Sequence, residues 1–282
     1  MVAAPARNAA GGNVGHDSRQ QRRRIVRELI KSGERTRKSG LDPRPPAASV
    51  LAVAHLIKAK LEERANRRRA GEAAQLVHDL FEASLRAFPP RVEIACRRGC
   101  NYCCHSFVAV LAPEVFRIAA LLRTCRDPRL SPAAIAQKAA PLKGISVEGR
   151  IGAKLACPLL VDGDCGVYTS RPLVCRQATS LSVTACLDEF ENPDPNDQIE
   201  ISAAHVTHAS NANVILMAAL KAVGLSSDAL ELSEALTVAL ADSGSEEKWL
   251  AGEDVFAGVA RHRSRTNGTA LMAQRIARDL AT

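Results

Sequence analysis

Eight of the chain's nine cysteines fall in two packets, and their spacing is that of a ligand set. The first packet reads Cys96-Arg-Arg-Gly-Cys100-Asn-Tyr-Cys103-Cys104. The second is more open and consists of Cys157, Cys165, Cys175 and Cys186, with seven, nine and ten residues between them. A thiolate is a soft donor, and a metal ion or cluster gathers about four ligands around a small centre. Gly99 lets the backbone turn between Cys96 and Cys100, while Pro158 after Cys157 and Pro172 before Leu173 stiffen the second packet. The competing use of these cysteines is a disulfide framework, which requires an oxidising compartment. Residues 1–24 hold no apolar run of the roughly 7–15 residues that a secretory signal needs. A cytoplasmic protein is expected.

The choice of metal turns on spacing. Structural zinc sites present paired ligands two to four residues apart, and the second packet has no such pair. Iron–sulfur clusters take closely spaced cysteines from one loop and a distant one from elsewhere, which suits the first packet. Eight thiolates would also suffice for two four-cysteine zinc sites, so the expected cofactor is an iron–sulfur cluster or a zinc ion, with iron favoured. Adjacent side chains point in different directions, so Cys103 and Cys104 are expected to serve different partners, one joining Cys96 and Cys100 and the other facing the second packet.

Positive charge beside thiolates lowers their pKa and offsets the charge of the site. Arg97, Arg98, Arg171 and Arg176 stand next to the cysteines in sequence. Arg171, Arg176 and Tyr168 are the expected cofactor-binding residues, with a packed ring as the alternative for Tyr168. His105 reads as a loop histidine. His205 and His208 share a helix face, but no carboxylate or cysteine lies near them in sequence, and they are not placed among the ligands. Cys125 stands outside both packets as a small isolated thiol. No G-x-S-x-G nucleophile elbow and no phosphate-binding G-x-x-x-x-G-K-[ST] occurs, which removes the hydrolase and nucleotidase readings.

These residues need a scaffold. With 46% hydrophobic but only 3% aromatic residues, the core must be built from Ala, Leu, Val and Ile, and a mainly α fold is expected: a helical domain wrapped around a loop-rich cysteine site, with little or no β. Residues 1–48, rich in Gly, Pro and Arg, read as a basic, disordered arm with at most a short helix at 21–31. A helical domain over 49–245 contains the cysteine region 90–190, and 246–282 forms a C-terminal segment with a final helix. Within 49–88, a break near Gly71 is allowed, and Val77, Phe81, Leu85 and Phe88 form an apolar stripe. Further helices are expected after Pro113, after Ser131-Pro132, over 201–223 with Gly224 as the stop, after Ser226-Ser227, and from Thr269 with Met272, Ile276 and Leu280 facing inward. Asn192-Pro-Asp-Pro-Asn196 marks a turn closing the cysteine region.

The net charge of +8 is concentrated in the N-terminal arm. No aromatic residues interleave with the basic ones, so nucleic acid is not an expected partner. The longest apolar stretches, 107–112 and 214–220, fall far short of the roughly 20 residues that span a bilayer, so no membrane partner is expected either. A protein partner is compatible with the sequence, which names none.

Taken together, Cys96, Cys100, Cys103 and Cys104, the Cys157-Pro-Leu-Leu segment, Gly163, Cys165, Tyr168, Arg171-Pro172, Cys175-Arg176 and Cys186 resemble the bacterial YkgJ-type cysteine-cluster family. That family is described as carrying a zinc- or iron-chelating CxxxCxxCC domain. The resemblance covers residues 96–186 and implies metal chelation by these cysteines, without a defined cellular role. Some members are similar to flagellin lysine N-methylases, so the alternatives to a chelating protein are an iron–sulfur redox protein or a lysine N-methylase-like enzyme. Whether the chain is an enzyme is left open. Cys96, Cys100, Tyr102 and Cys103 also have the spacing of the radical S-adenosylmethionine motif. That motif needs a βα-repeat barrel behind it, and no strand–helix alternation follows here.

Overall fold

Arg69 divides the first helical stretch. In the computed structural model, which describes residues 47–193, 199–262 and 267–281 together with Arg24 and Arg27, helix α1 spans Ala47–Glu62 and α2 spans Arg69–Ala87. The break therefore falls at 63–68, before Gly71. Arg69 Nε donates to the Leu61 carbonyl at 2.8 Å and Nη1 to the Asn66 carbonyl at 3.1 Å, satisfying carbonyls that the end of α1 leaves unpaired. Gly71 is needed farther on, because a Cβ there would stand 3.3 Å from the backbone of Arg117. The expected disordered arm and the Asn192–Asn196 turn lie largely outside the described residues.

After the first cysteine packet come strand β1, Ala109–Leu111, and helix α3, Ala112–Thr124, with Pro113 in its first turn. Helix α4, Pro132–Ala139, is capped by Ser131, whose Oγ accepts from the Ala134 N–H at 3.3 Å. Helix α5 spans Val147–Ala153; strands β2, Leu160–Val161, and β3, Asp164–Cys165, form a hairpin; helices α6, Leu173–Gln177, and α7, Val183–Glu191, follow. The long helix α8, Ala203–Ala222, starts at its Ser202 cap and stops at Gly224, whose φ of +74° suits glycine.

Two expectations fail beyond this point. The segment after Ser226-Ser227 is not helical at once: Ala229–Glu231 forms strand β4, and helix α9 runs Leu232–Ala241 from a Glu231 cap. Ala109 pairs with Glu231 and Leu111 with Ala229, so hydrogen bonding to β1 overrides the local helix signal. After helix α10, Ser245–Leu250, and strand β5, Arg261–His262, helix α11 spans Asn267–Asp279. Its buried face is Ala273, Ala277 and Leu280, while Met272 is 56% exposed. Small alanines admit close approach to α8, and that choice of face leaves the larger Met272 outside.

The fold is mainly α, as expected. Helix α8 is its axis, with α1, α2, α6 and α11 packed around it. It buries Ala209, Ala212, Ile215, Leu216 and Ala219. Helix α9 packs chiefly on α3 and α4, with Phe116 of α3 set against Trp249 and Phe256, each ring 5.5 Å away. The strands make one three-stranded antiparallel sheet, β1-β4-β5, and the β2-β3 hairpin. Among the described residues there is no parallel strand pair, so the βα barrel of the radical look-alike is absent from them. No described helix is long and apolar enough to cross a membrane.

Candidate metal centre

Short backbone ties draw the two packets together. Gly99, at φ +89°, turns the chain so that the Cys100 N–H meets the Arg97 carbonyl at 3.0 Å. One 3-10 turn, Tyr102–His105, then displays Cys103 and Cys104. The Cys157 N–H donates to the Cys104 carbonyl at 2.7 Å, and the Cys96 N–H donates to the Ser180 carbonyl at 3.2 Å. Cys165 pairs across the hairpin with Leu160, whose N–H meets the Cys157 carbonyl at 2.9 Å. Cys175 rides on α6, which is anchored by buried Glu114: its Oε1 accepts from the Leu173 N–H at 2.8 Å and lies 3.0 Å from His78 Nε2. Cys186 rides on α7, held against the 3-10 turn by Phe190, whose ring lies 5.8 Å from Tyr102 and 4.8 Å from His105.

The hairpin turn depends on glycine. Gly163 has φ +82°, and its carbonyl accepts from Asn101 Nδ2 at 3.1 Å, which locks the second packet to the first. Gly163→Ala forces an L side chain into the left-handed region, and a loss of ~1–2 kcal/mol is expected. Denaturant melts of the two proteins check this; equal midpoints would contradict it.

The thiols act on one another electrostatically, which shows how closely the packets interleave. Cys103, the packet thiol that loses its proton most readily, bears on Cys96, Cys100, Cys104, Cys165, Cys175 and Cys186. Cys104 faces Cys157 and Cys175 of the second packet. Burial raises the thiols of Cys96, Cys100, Cys165, Cys175 and Cys186, and pushes Cys157 up to about 12. The hydrogen bond between the vicinal pair works in opposite directions on its members: it lowers Cys103 to about 7, helped by Arg171, and raises Cys104.

Around the thiols, the expected helpers separate into different jobs. Arg171 is the cation felt by Cys96, Cys103, Cys165 and Cys175, and its guanidinium lies 4.0 Å from the centre of the Tyr168 ring. Tyr168 is thus a stacking platform, with Arg98 at 5.7 Å from the same ring. Arg176 is buried and points away from solvent into a latch: Nε donates to the Arg171 carbonyl at 2.7 Å, Nη2 to the Thr169 carbonyl at 2.7 Å and Nη1 to Glu82 at 2.5 Å. It holds the loop that carries Arg171. Arg97 is exposed, and so is Cys125 beyond α3. His105 packs on Phe190, His208 Nε2 is hydrogen-bonded to the Phe88 carbonyl at 3.1 Å, and His205 Nδ1 lies 2.9 Å from Ser202 Oγ. Sequence reasoning missed Arg150 and Glu231, which are buried and whose charges bear on Cys157 with opposite signs. A lone arginine in a short helix looks solvated in sequence, so no signal marked it.

The donor set fits a thiophilic metal or cluster: eight soft sulfurs interleave in one region, and all nine cysteines are free. As placed, no three described His, Cys, Asp or Glu side chains already grip a single ion. Residues 95–200, just over a third of the chain, match a family labelled CxxCxxCC and described as "Putative zinc- or iron-chelating domain". The label spells two residues between its first cysteines, where this chain has Arg97, Arg98 and Gly99. Comparison with curated proteins and with solved structures found no match.

Proposed function

We propose that Cys96, Cys100, Cys103, Cys104, Cys157, Cys165, Cys175 and Cys186 are the ligand pool of a metal centre in a YkgJ-type chelating protein, and that its occupant is an iron–sulfur cluster. The observation that carries this is the set of ties that bring two packets, remote in sequence, together: Cys157 N–H to the Cys104 carbonyl, and Asn101 to the Gly163 carbonyl of the hairpin that carries Cys165. The choice of a cluster over a single zinc ion is supported by sequence spacing: the first packet groups its cysteines closely in one loop, and the second has no pair two to four residues apart. Such a cluster supplies one-electron chemistry. Arg171 would offset the negative charge of the thiolates, with Tyr168 orienting it and Arg176 holding its loop. Thiol ligands persist in a reducing compartment, which accords with a cytoplasmic location.

Purification without oxygen, followed by a visible spectrum and assays of iron, zinc and acid-labile sulfide, tests the reading. Brown protein with iron and sulfide is expected. Stoichiometric zinc with neither iron nor sulfide would overturn the cluster, and protein free of all three would overturn the ligand pool.

Metal loading should strengthen as pH rises from about 6 to 8. Burial keeps most of these thiols protonated at neutral pH, whereas a bound thiolate has lost its proton, so loading releases protons. Competition against a chelator across that range measures it; a flat profile would contradict the assignment of thiols as ligands.

A further inference from the structure

Arg150, in α5, is only 1% exposed and is among the largest fully buried side chains of the protein. Burying a guanidinium is costly unless its charge and donors are met. Nη2 donates to the Ser106 carbonyl at 3.2 Å, but Nε and Nη1 have no hydrogen-bond partner among the described residues. The nearest carboxylate, Glu231, is equally buried at 1%, yet its Oε1 stands 4.0 Å from Nη1 and is itself unpartnered. A structural Arg–carboxylate pair closes to about 2.8 Å, often in bidentate form. This one does not close. The other oxygen of Glu231 is engaged elsewhere, accepting from the Glu234 N–H at 2.8 Å to cap α9.

The location supplies a reason for the unused donors. Ser106, which holds the guanidinium, is two residues beyond Cys104, and Cys104 is tied to Cys157 by the 2.7 Å backbone hydrogen bond. Arg150 and Glu231 both bear on Cys157, with opposite signs. Arg171 bears on Cys96, Cys103, Cys165 and Cys175, and Arg150 adds a second, buried cation that bears on Cys157. A thiolate-ligated centre carries net negative charge, and N–H donors and cations around its sulfurs stabilise it and set its potential.

On the reading of the eight cysteines as ligands, we infer that Arg150 is the buried counter-cation of the metal centre, held by the Ser106 carbonyl behind the Cys104–Cys157 tie to compensate thiolate charge, with Glu231 opposing it. It is a positioning residue that acts through the thiolates. Removing the charge of Arg150 must therefore weaken the centre, whereas removing that of Glu231 must not. A plain structural ion pair would make them move together.

The experiment uses the full chain, prepared without oxygen, as Arg150→Gln, Arg150→Lys and Glu231→Gln. Readouts are metal per chain, the rate of metal loss to a chelator and, for an iron–sulfur occupant, the reduction potential. Arg150→Gln is expected to lose metal at least tenfold faster and, with a cluster, to show a lower potential. Arg150→Lys restores most of both. Glu231→Gln slows metal loss and raises the potential, or leaves both unchanged. Should Arg150→Gln not fold, Glu231→Gln decides alone: metal loss as slow as wild type or slower supports the proposal. Faster loss in Glu231→Gln, or unchanged loss and potential in a folded Arg150→Gln, overturns it. Wild-type protein without any metal would instead overturn the ligand reading on which it rests.

Discussion

Cys103→Ser is expected to leave the anaerobically purified protein with less than half of its metal, while Cys125→Ser keeps it all. Cys103 is exposed at its surface edge, which by itself would suggest tolerance to change. Its neighbourhood says otherwise. It is hydrogen-bonded to Cys104, and with the help of Arg171 its thiol is lowered to about 7, so it is the packet sulfur that gives up its proton to a metal most readily. A serine hydroxyl is a hard, weakly acidic donor and does not replace a thiolate. Cys125 is exposed after α3 and outside both packets. Cys104→Ser should differ from Cys103→Ser in the amount of metal lost, because Cys104 faces Cys157 and Cys175. Elemental analysis of the three variants checks this. Full metal in Cys103→Ser would remove it from the ligand pool, and identical losses at 103 and 104 would end the division of labour between them.

Removing the metal should loosen one part of the molecule. Whatever binds the folded state but not the unfolded one stabilises it, and a structural thiolate site does so by several kcal/mol. The segments that carry the cysteines have little else to hold them: α6 spans five residues, the β2-β3 strands two each, and α7 has no fully buried side chain. Hydrogen exchange in chelated protein should therefore accelerate on the order of a hundredfold over about residues 96–106 and 157–190, equivalent to about 2.7 kcal/mol, while the core helix α3 between them stays protected. Amides of α8, packed on four other helices, should change little. Equal protection with and without metal across both regions would show that the centre contributes nothing to the fold.

The spacing of the cysteines, the turn at Gly99, the Ser131 cap and the stop at Gly224 were legible because each is decided within a few residues by side-chain chemistry or backbone freedom. The apolar stripe of α2 and the α-rich composition likewise foretold a helical scaffold. Strand β4 was not legible. Ala229-Leu230-Glu231 has no strong strand preference, and it is extended because β1, more than a hundred residues earlier, supplies its hydrogen bonds. At α11 the inward face was legible for Leu280, which is buried, and for Ile276, which packs against the core, but not for Met272, since packing on α8 selects Ala273 and Ala277.

At the centre itself, the sequence determined the kind of chemistry: eight soft donors in two packets, with arginines among them. Tertiary structure decided which arginine does what. The charge of Arg171 bears on the thiols, Arg176 ties down the loop through two carbonyls and Glu82, and Arg150, far from any motif, is enclosed against the Ser106 carbonyl. Residue type sets charge and donor capacity, which are local properties. Whether a charge meets a thiolate, a carbonyl or water depends on which distant segments fold over it.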